Sequence, residues 1–172
     1  MRLLLLLLAA GLIAAAEWPA TVRLADRDLP LRGSERFSWL WYKVYDVALH
    51  APADATDVLA PVPRRIAFRY LRAFTAAELG KATSTTAAER IGSAPRAEVE
   101  NGVAAINALW PAVARGDELT LDYVPGAGVT VAHNGRELGR VAGDAFARVL
   151  FSIWLGEDPI DADLRDGLLA RR

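Results

Sequence analysis

No cysteine occurs anywhere in the 172 residues. That excludes disulfide staples, thiol nucleophiles and zinc–thiolate sites. Histidine is nearly as scarce, with His50 and His133 the two present, too few for a histidine-rich metal site. Neither sign of charge dominates: 20 Lys and Arg stand against 21 Asp and Glu. With no basic stripe along the chain, nothing points to a nucleic-acid partner. Gly126, Gly128 and Gly135 fall where turns are expected, and no phosphate-cradling loop is present. No cofactor is implied, and residues 17–172 hold no internal repeat or low-complexity tract.

The long apolar run is confined to the start, "MRLLLLLLAAGLIAAAEWPA". One arginine, a leucine- and alanine-rich stretch and the small residues Ala14, Ala15 and Ala16 follow in the order of a secretory signal peptide. The run is shorter than the roughly 17–25 residues of a membrane-spanning helix, and no cysteine follows it to carry a lipid. The expectation is a signal peptide over 1–16, cut after Ala16, with no stable membrane span left and a periplasmic or secreted product. Residues 17–172 then fit one domain, since domains commonly run to ~100–200 residues.

Along that domain, "TVRLADRDLPLRG" (21–33) reads as an opening hairpin around "DRD". "RRIAFRYLRAF" (64–74) alternates Ile66, Phe68 and Tyr70 with polar neighbours, as a half-buried strand does. From Thr75 the pattern turns helical, and Thr75 with Glu78 has the form of a capping box. Val99, Val103, Ile106 and Trp110 mark a second helix that Pro111 ends. Three strands follow over 117–125, 128–134 and beyond, with Asn134-Gly135 as a tight hairpin turn. Phe146, Val149, Leu150, Ile153 and Trp154 then lie at helical spacing, with Asp144 placed to cap the start and Gly156 to end it in a left-handed turn. A last short helix starts from Asp161. Strands, two helices, strands and two helices make an α+β domain with helices layered on a largely antiparallel sheet.

The most unusual stretch is "RFSWLWYKVYD" (36–46), five aromatic rings and two cations in eleven residues. Read as one extended strand over 36–49, it has Phe37, Trp39, Trp41, Lys43, Tyr45, Val47 and Leu49 on one face. Arg36, Ser38, Leu40, Tyr42, Val44, Asp46 and Ala48 share the other. Rings on both faces describe a two-sided core, or one face against a core and the other against a ligand. An arginine in such a strand needs an anion, because an unpaired buried charge is costly and a carboxylate fits its fork. Asp46, Glu35, Glu78 or a ligand can supply it.

"KVYDVALHAP" and "FARVLFSIWLGEDPIDADLRDGLL", with "IAFRYLRAFTAAEL" and "LWPAVARGDELTLDYVPGAGVTVAHNGRELGRV" between them, resemble the bacterial chalcone isomerase-like domain over about Val22 to Ala170. The resemblance implies an open-faced β-sandwich, a large antiparallel sheet with helices on one face and a ligand cleft between. It also implies either of two activities. Plant members close a flavanone ring with an arginine, a tyrosine, a threonine and an asparagine; other members bind fatty acids without catalysis, an arginine and a tyrosine holding the carboxylate. Arg36 matches the arginine position and Tyr45 the strand threonine. "TAAELGKATSTTAAER" lacks the tyrosine and asparagine that plant enzymes carry in the first helix, so the ring-closing set is incomplete.

The expected ligand contacts are therefore Arg36 as carboxylate anchor, Tyr42 and Tyr45 as hydroxyl donors, and Thr83 and Thr86 lining the cleft from the first helix. Catalytic residues are not assigned, and no metal ligand is. His50 and His133 read as solvated loop-edge histidines, and Trp154 as core. The favoured reading is an exported, non-catalytic protein binding a small amphipathic carboxylate such as a fatty acid. The alternatives are an isomerase of the intramolecular lyase type on the same cleft, and a structural or partner-binding domain whose cleft is filled by side chains.

Overall fold

The computed structural model describes residues 17–170. The expected signal peptide and its cleavage site therefore lie outside the described residues. Seven antiparallel strands follow one another in sequence order across a single sheet: β1 (Thr21–Leu24), β2 (Arg27–Trp39), β3 (Tyr42–His50), β4 (Arg64–Tyr70), β5 (Glu118–Val124), β6 (Gly128–His133) and β7 (Arg136–Val141). Between β4 and β5 the chain leaves the sheet to form α1 (Ala76–Ala88) and α2 (Arg96–Asn107), and after β7 it forms α3 (Asp144–Leu155) and α4 (Ala162–Leu169). This is the expected α+β architecture, with every helix on one face of a curled antiparallel sheet.

Strand alternation sorts the two faces. Val47, Leu49, Ile66, Phe68, Leu119, Leu121, Val129 and Val131 point inward and form one core with Phe146, Leu150 and Phe151 of α3 and Leu164 and Leu168 of α4. The outer face carries charges paired across strands: Arg36 with Asp46, Arg69 with Glu118 and Arg65 with Asp122. The segment before β1 lies over this outer face, with Trp18 stacked 4.2 Å from the Arg69 guanidinium.

The expected single strand over 36–49 is two strands. Leu40 and Trp41 make a tight turn, and β2 folds back on β3 so that Trp39 faces Tyr42 and Phe37 faces Tyr45. Alternating rings carry no turn signal of the Asn-Gly kind, so nothing local marks the reversal. Elsewhere the local signals hold: Thr75 and Glu78 close a capping box, Asp161 accepts from the Leu164 amide at 2.8 Å, and Asn134 and Gly135 both take positive φ. At α3 they do not. Gly143 occupies the cap position and Gly156 is extended at φ −77°, not left-handed. Asp144 instead accepts from the Tyr123 hydroxyl and the Gly126 amide, at 3.0 and 3.1 Å.

Two buried arginines tie the irregular 51–63 segment to the sheet. Arg32 Nη1 donates to the Pro52 carbonyl at 2.6 Å. Arg64 Nη1 donates to the carbonyls of Val58 and Ala60 at 2.7 and 2.9 Å. The Arg64 guanidinium lies between the rings of Tyr123 and Phe151, and burial pulls its pKa down to about 10, so it stays charged at neutral pH.

The seat of α4 on β2 depends on two glycines in contact. A Cβ on Gly33 would lie 2.0 Å from the Gly167 carbonyl oxygen, a backbone atom that cannot rotate away. Gly33→Ala should therefore lift α4 from the sheet at a cost of about 1–3 kcal/mol, the range for overpacking. Differential scanning calorimetry should show a midpoint lower by several degrees; an unchanged midpoint would show that α4 is free to slide.

Candidate functional site

A cavity of about 350 Å³ lies between the inner face of the sheet and α1. Its floor is a cluster of rings. Tyr45 stacks on Phe37 with centroids 5.1 Å apart and meets Phe68 and Tyr70 edge-on at 5.1 and 6.0 Å. Trp154 packs on Phe68 at 4.9 Å. Leu119, Leu121 and Ile153 complete the floor; Leu79, Ala82, Thr83 and Thr86 of α1 form the opposite wall. Glu78 and Ala82 are exposed and Val44 and Ile160 partly so, which puts the opening along the edge between α1 and the β2–β3 hairpin.

A bulge arranges this wall. β2 and β3 pair Phe37 with Tyr45 but Ser38 with Lys43, leaving Val44 as the extra residue. An inserted residue bends its strand and re-aims the side chains around it. Val44 and Tyr45, adjacent in sequence, consequently both line the cavity.

The polar groups within the lining are few. The Tyr45 hydroxyl accepts from Trp154 Nε1 at 3.0 Å and keeps its own proton to donate. Burial pushes the pKa of Tyr45 and of Tyr70 well above the ordinary phenol value, so both stay neutral. Trp110 Nε1 is buried without a hydrogen-bond partner, an unused donor in the wall. Thr83 and Thr86 turn their hydroxyls back to the carbonyls of Leu79 and Ala82, at 2.9 and 2.7 Å, and so show the cavity mainly carbon. At the rim Glu78 accepts from the Thr75 amide and hydroxyl, which lowers its pKa and keeps it ionised. No set of three or more His, Asp or Glu side chains among the described residues is placed to hold a metal.

Of the five residues expected to meet a ligand, the structure brings Tyr45, Thr83 and Thr86 to the cavity. Arg36 is elsewhere. It lies on the outer face, where Nε and Nη2 engage both carboxylate oxygens of Asp46 at 2.5 and 3.0 Å. The reason is parity: Arg36 and Asp46 pair across the hairpin and point the same way, opposite to Phe37 and Tyr45. The arginine's anion is thus the intramolecular carboxylate, and Arg36 does not reach the cavity. Tyr42 is also absent from the lining; it sits exposed beside the turn, with the Arg72 guanidinium 5.5 Å from its ring. Arg72 stacks as well on Phe74 of the cavity wall, at 5.2 Å.

Three other expectations change. His50 is buried, with Nε2 2.7 Å from the Pro19 carbonyl, because the segment before β1 covers its strand end. His133 is partly buried against Asp117, at 3.0 Å. Trp154 belongs to the cavity wall as well as packing on the core. Its helical stripe identifies the buried face but not that the sheet leaves room beneath it. Phe74 and Ile160 also line the cavity, each at an element boundary where no periodicity reports its direction, and so does Trp110, which lies beyond the end of α2 at Asn107 and not within the helix as its spacing suggests.

The domain is thus an open-faced antiparallel sheet with an apolar cavity under its helices. The chain belongs to the chalcone isomerase-like family, whose sequence profile matches residues 10–170. No curated protein matches the sequence. Among solved structures it is similar to a fatty-acid-binding protein of Arabidopsis thaliana, at 16% identity and a TM-score of 0.72, covering 88% of this chain and 90% of that one. The likeness establishes the shared fold.

The hydrogen bonds imply two measurable properties. Tyr45→Phe leaves Trp154 Nε1 without its acceptor and should cost about 1 kcal/mol, read as a lower denaturant midpoint; no change would mean that water takes over the bond. Burial lowers the folded pKa of His50, so the unfolded chain binds its proton more tightly. The stability His50 contributes is complete above the ordinary imidazole pKa of about 6.5 and is lost as pH falls towards the folded value. NMR titration should find the His50 ring neutral below that ordinary value, and a ring that titrates at or above it would refute the buried environment.

Proposed function

We propose that the protein is an exported, non-catalytic binder of a small amphipathic carboxylate of the fatty-acid kind. The observation that carries this reading is the composition of the cavity: rings and aliphatic side chains on nearly every side, with a volume at the lower end of the ~300–1,000 Å³ of small-molecule sites. The hydrocarbon part lies on the floor of Phe37, Tyr45, Phe68 and Leu121, under Thr83 and Thr86. A carboxylate deep in such a cavity would lack a cation, at high cost. It therefore sits at the opening, where Arg72 stacks on Phe74. Arg72 takes the anchoring role that the sequence suggested for Arg36.

Non-catalysis is supported by protonation. The two lining phenols are held neutral and the rim carboxylate is held ionised by Thr75, so none of these three is tuned to exchange a proton near neutral pH. The fatty-acid-binding activity named for the Arabidopsis protein of the same fold agrees with this reading. Export follows from the order of residues 1–16.

Protein recovered from the periplasm tests all of this by native mass spectrometry and by displacement of a fluorescent long-chain acid. The mature mass should begin at Glu17, and a bound acid should accompany it. Ala82→Trp, which fills the opening, should abolish binding. Arg72→Gln should weaken the acid by roughly tenfold, as expected for loss of a charge-assisted contact, and leave its methyl ester unaffected. Arg36→Ala should change neither. Wild-type protein that neither carries nor takes up an acid would overturn the proposal.

A further inference from the structure

The cavity accounts for Phe37 and Tyr45 but leaves the middle of the aromatic run unexplained. Trp39, Leu40, Trp41 and Tyr42 are 64%, 71%, 77% and 51% exposed, and they are the exposed large hydrophobic residues among those described. All four sit at one place, the tip of the β2–β3 hairpin. Solvent exposure of two tryptophans, a leucine and a tyrosine together is unfavourable, and a contiguous apolar patch of this kind marks an interaction surface.

The backbone carries a second sign. Leu40 has φ +54°, a left-handed conformation that glycine or asparagine adopts at lower cost. A leucine there keeps a large apolar side chain at the most protruding point of the turn, against backbone preference. Strain held at an exposed apolar tip agrees with a role for that side chain in contact with a partner.

Charge and size indicate the occupant. From Arg36 to Tyr45 there is no acidic residue; exposed Lys43 follows the tip, and exposed Arg72 lies against Tyr42. Tryptophan and tyrosine favour the level of lipid headgroups, where the ring is half apolar and its polar atom stays wet. A two-residue turn offers far less than the ~800 Å² per partner of a stable protein interface. A bilayer needs only that the rings sink into it. We propose that the Trp39–Tyr42 hairpin tip is a membrane-interface anchor that docks the domain on a bilayer carrying anionic headgroups.

Docking in this way places the cavity opening against the lipid. Val44 of the bulge lines the cavity two residues beyond Tyr42, and the Tyr42–Arg72–Phe74 stack runs from the tip to the cavity wall. The anchor stands on the exposure of the hairpin alone, so vesicle binding does not depend on what fills the cavity.

The test is flotation of the full mature protein with phosphatidylcholine vesicles, with and without phosphatidylglycerol, alongside tryptophan fluorescence. Wild type should float with the anionic vesicles, its emission should shift to the blue, and added salt should weaken the binding. Trp39→Ser with Trp41→Ser should lose roughly tenfold or more of that affinity, and Lys43→Gln should lose its anionic preference in part. Leu40→Gly serves as the control for folding: it should bind vesicles more weakly while raising the melting temperature, a combination that simple damage cannot produce. Wild type that ignores both vesicle types would overturn the proposal. So would tip variants that float as well as wild type, or sedimentation showing that the tip joins two copies of the chain and binds no lipid.

Discussion

A tight turn at Leu40–Trp41 sets the register of β2 against β3, and most of the site depends on that register. It places Phe37 beside Tyr45 on the inner face and Arg36 beside Asp46 on the outer face. A slip of one residue would exchange the two sets, bringing a charged pair under the helices and two rings into water. The register is held from both sides. Inside, three rings meet within 6.0 Å of Tyr45; outside, the Arg36–Asp46 pair joins the same strands through two hydrogen bonds. The bulge at Val44 then turns one further side chain toward the cavity.

Over this floor the helices come close without closing the space. Gly102 of α2 leaves room for the Phe146 ring, whose Cγ would lie 2.2 Å from a Cβ at that position, so α2 and α3 pack tightly at one end. Gly33 and Gly167 do the same for α4 at the sheet edge. α1 is different. Beyond Leu79 its inward face is built from Ala82, Thr83 and Thr86, side chains too short to fill the gap down to Tyr45 and Phe68. Long aliphatic residues at those positions would have made a core; short ones leave a cavity. Helix hydroxyls bonded to carbonyls one turn back keep the wall nearly as apolar as alanine would.

The aromatic run thus divides its rings between two environments. Phe37 and Tyr45 support a cavity, and Trp39, Trp41 and Tyr42 stand in solvent a few residues away. Arg72 lies between the two environments, stacked on Tyr42 of the exposed group and on Phe74 of the cavity wall. Family membership and fold are established by the match over 10–170 and by the shared architecture. The binding of an amphipathic acid and the docking on lipid are separate readings of the two ends of this hairpin.

Much was legible in the sequence for a local reason. Capping at Thr75 and Asp161, the Asn134-Gly135 turn, the alternation over 64–70 and the helical stripe of α3 each depend on neighbours within a few residues, so pattern alone reveals them. The order of those elements then yields an antiparallel sheet with helices on one face. Tyr45 was identifiable as a candidate by the family resemblance, and Thr83 and Thr86 by the hydroxyl-rich patch they form in the first helix. What tertiary structure decided was direction. Arg36 belongs to Asp46 because a turn without glycine or asparagine folds the run in half, and strand parity then sends both residues outward. His50 is buried because a segment more than thirty positions earlier in the chain lies across it. Trp154 reaches the cavity because the residues facing it on α1 are small. Each of these outcomes depends on which distant segment packs against which, and a one-dimensional pattern does not record that.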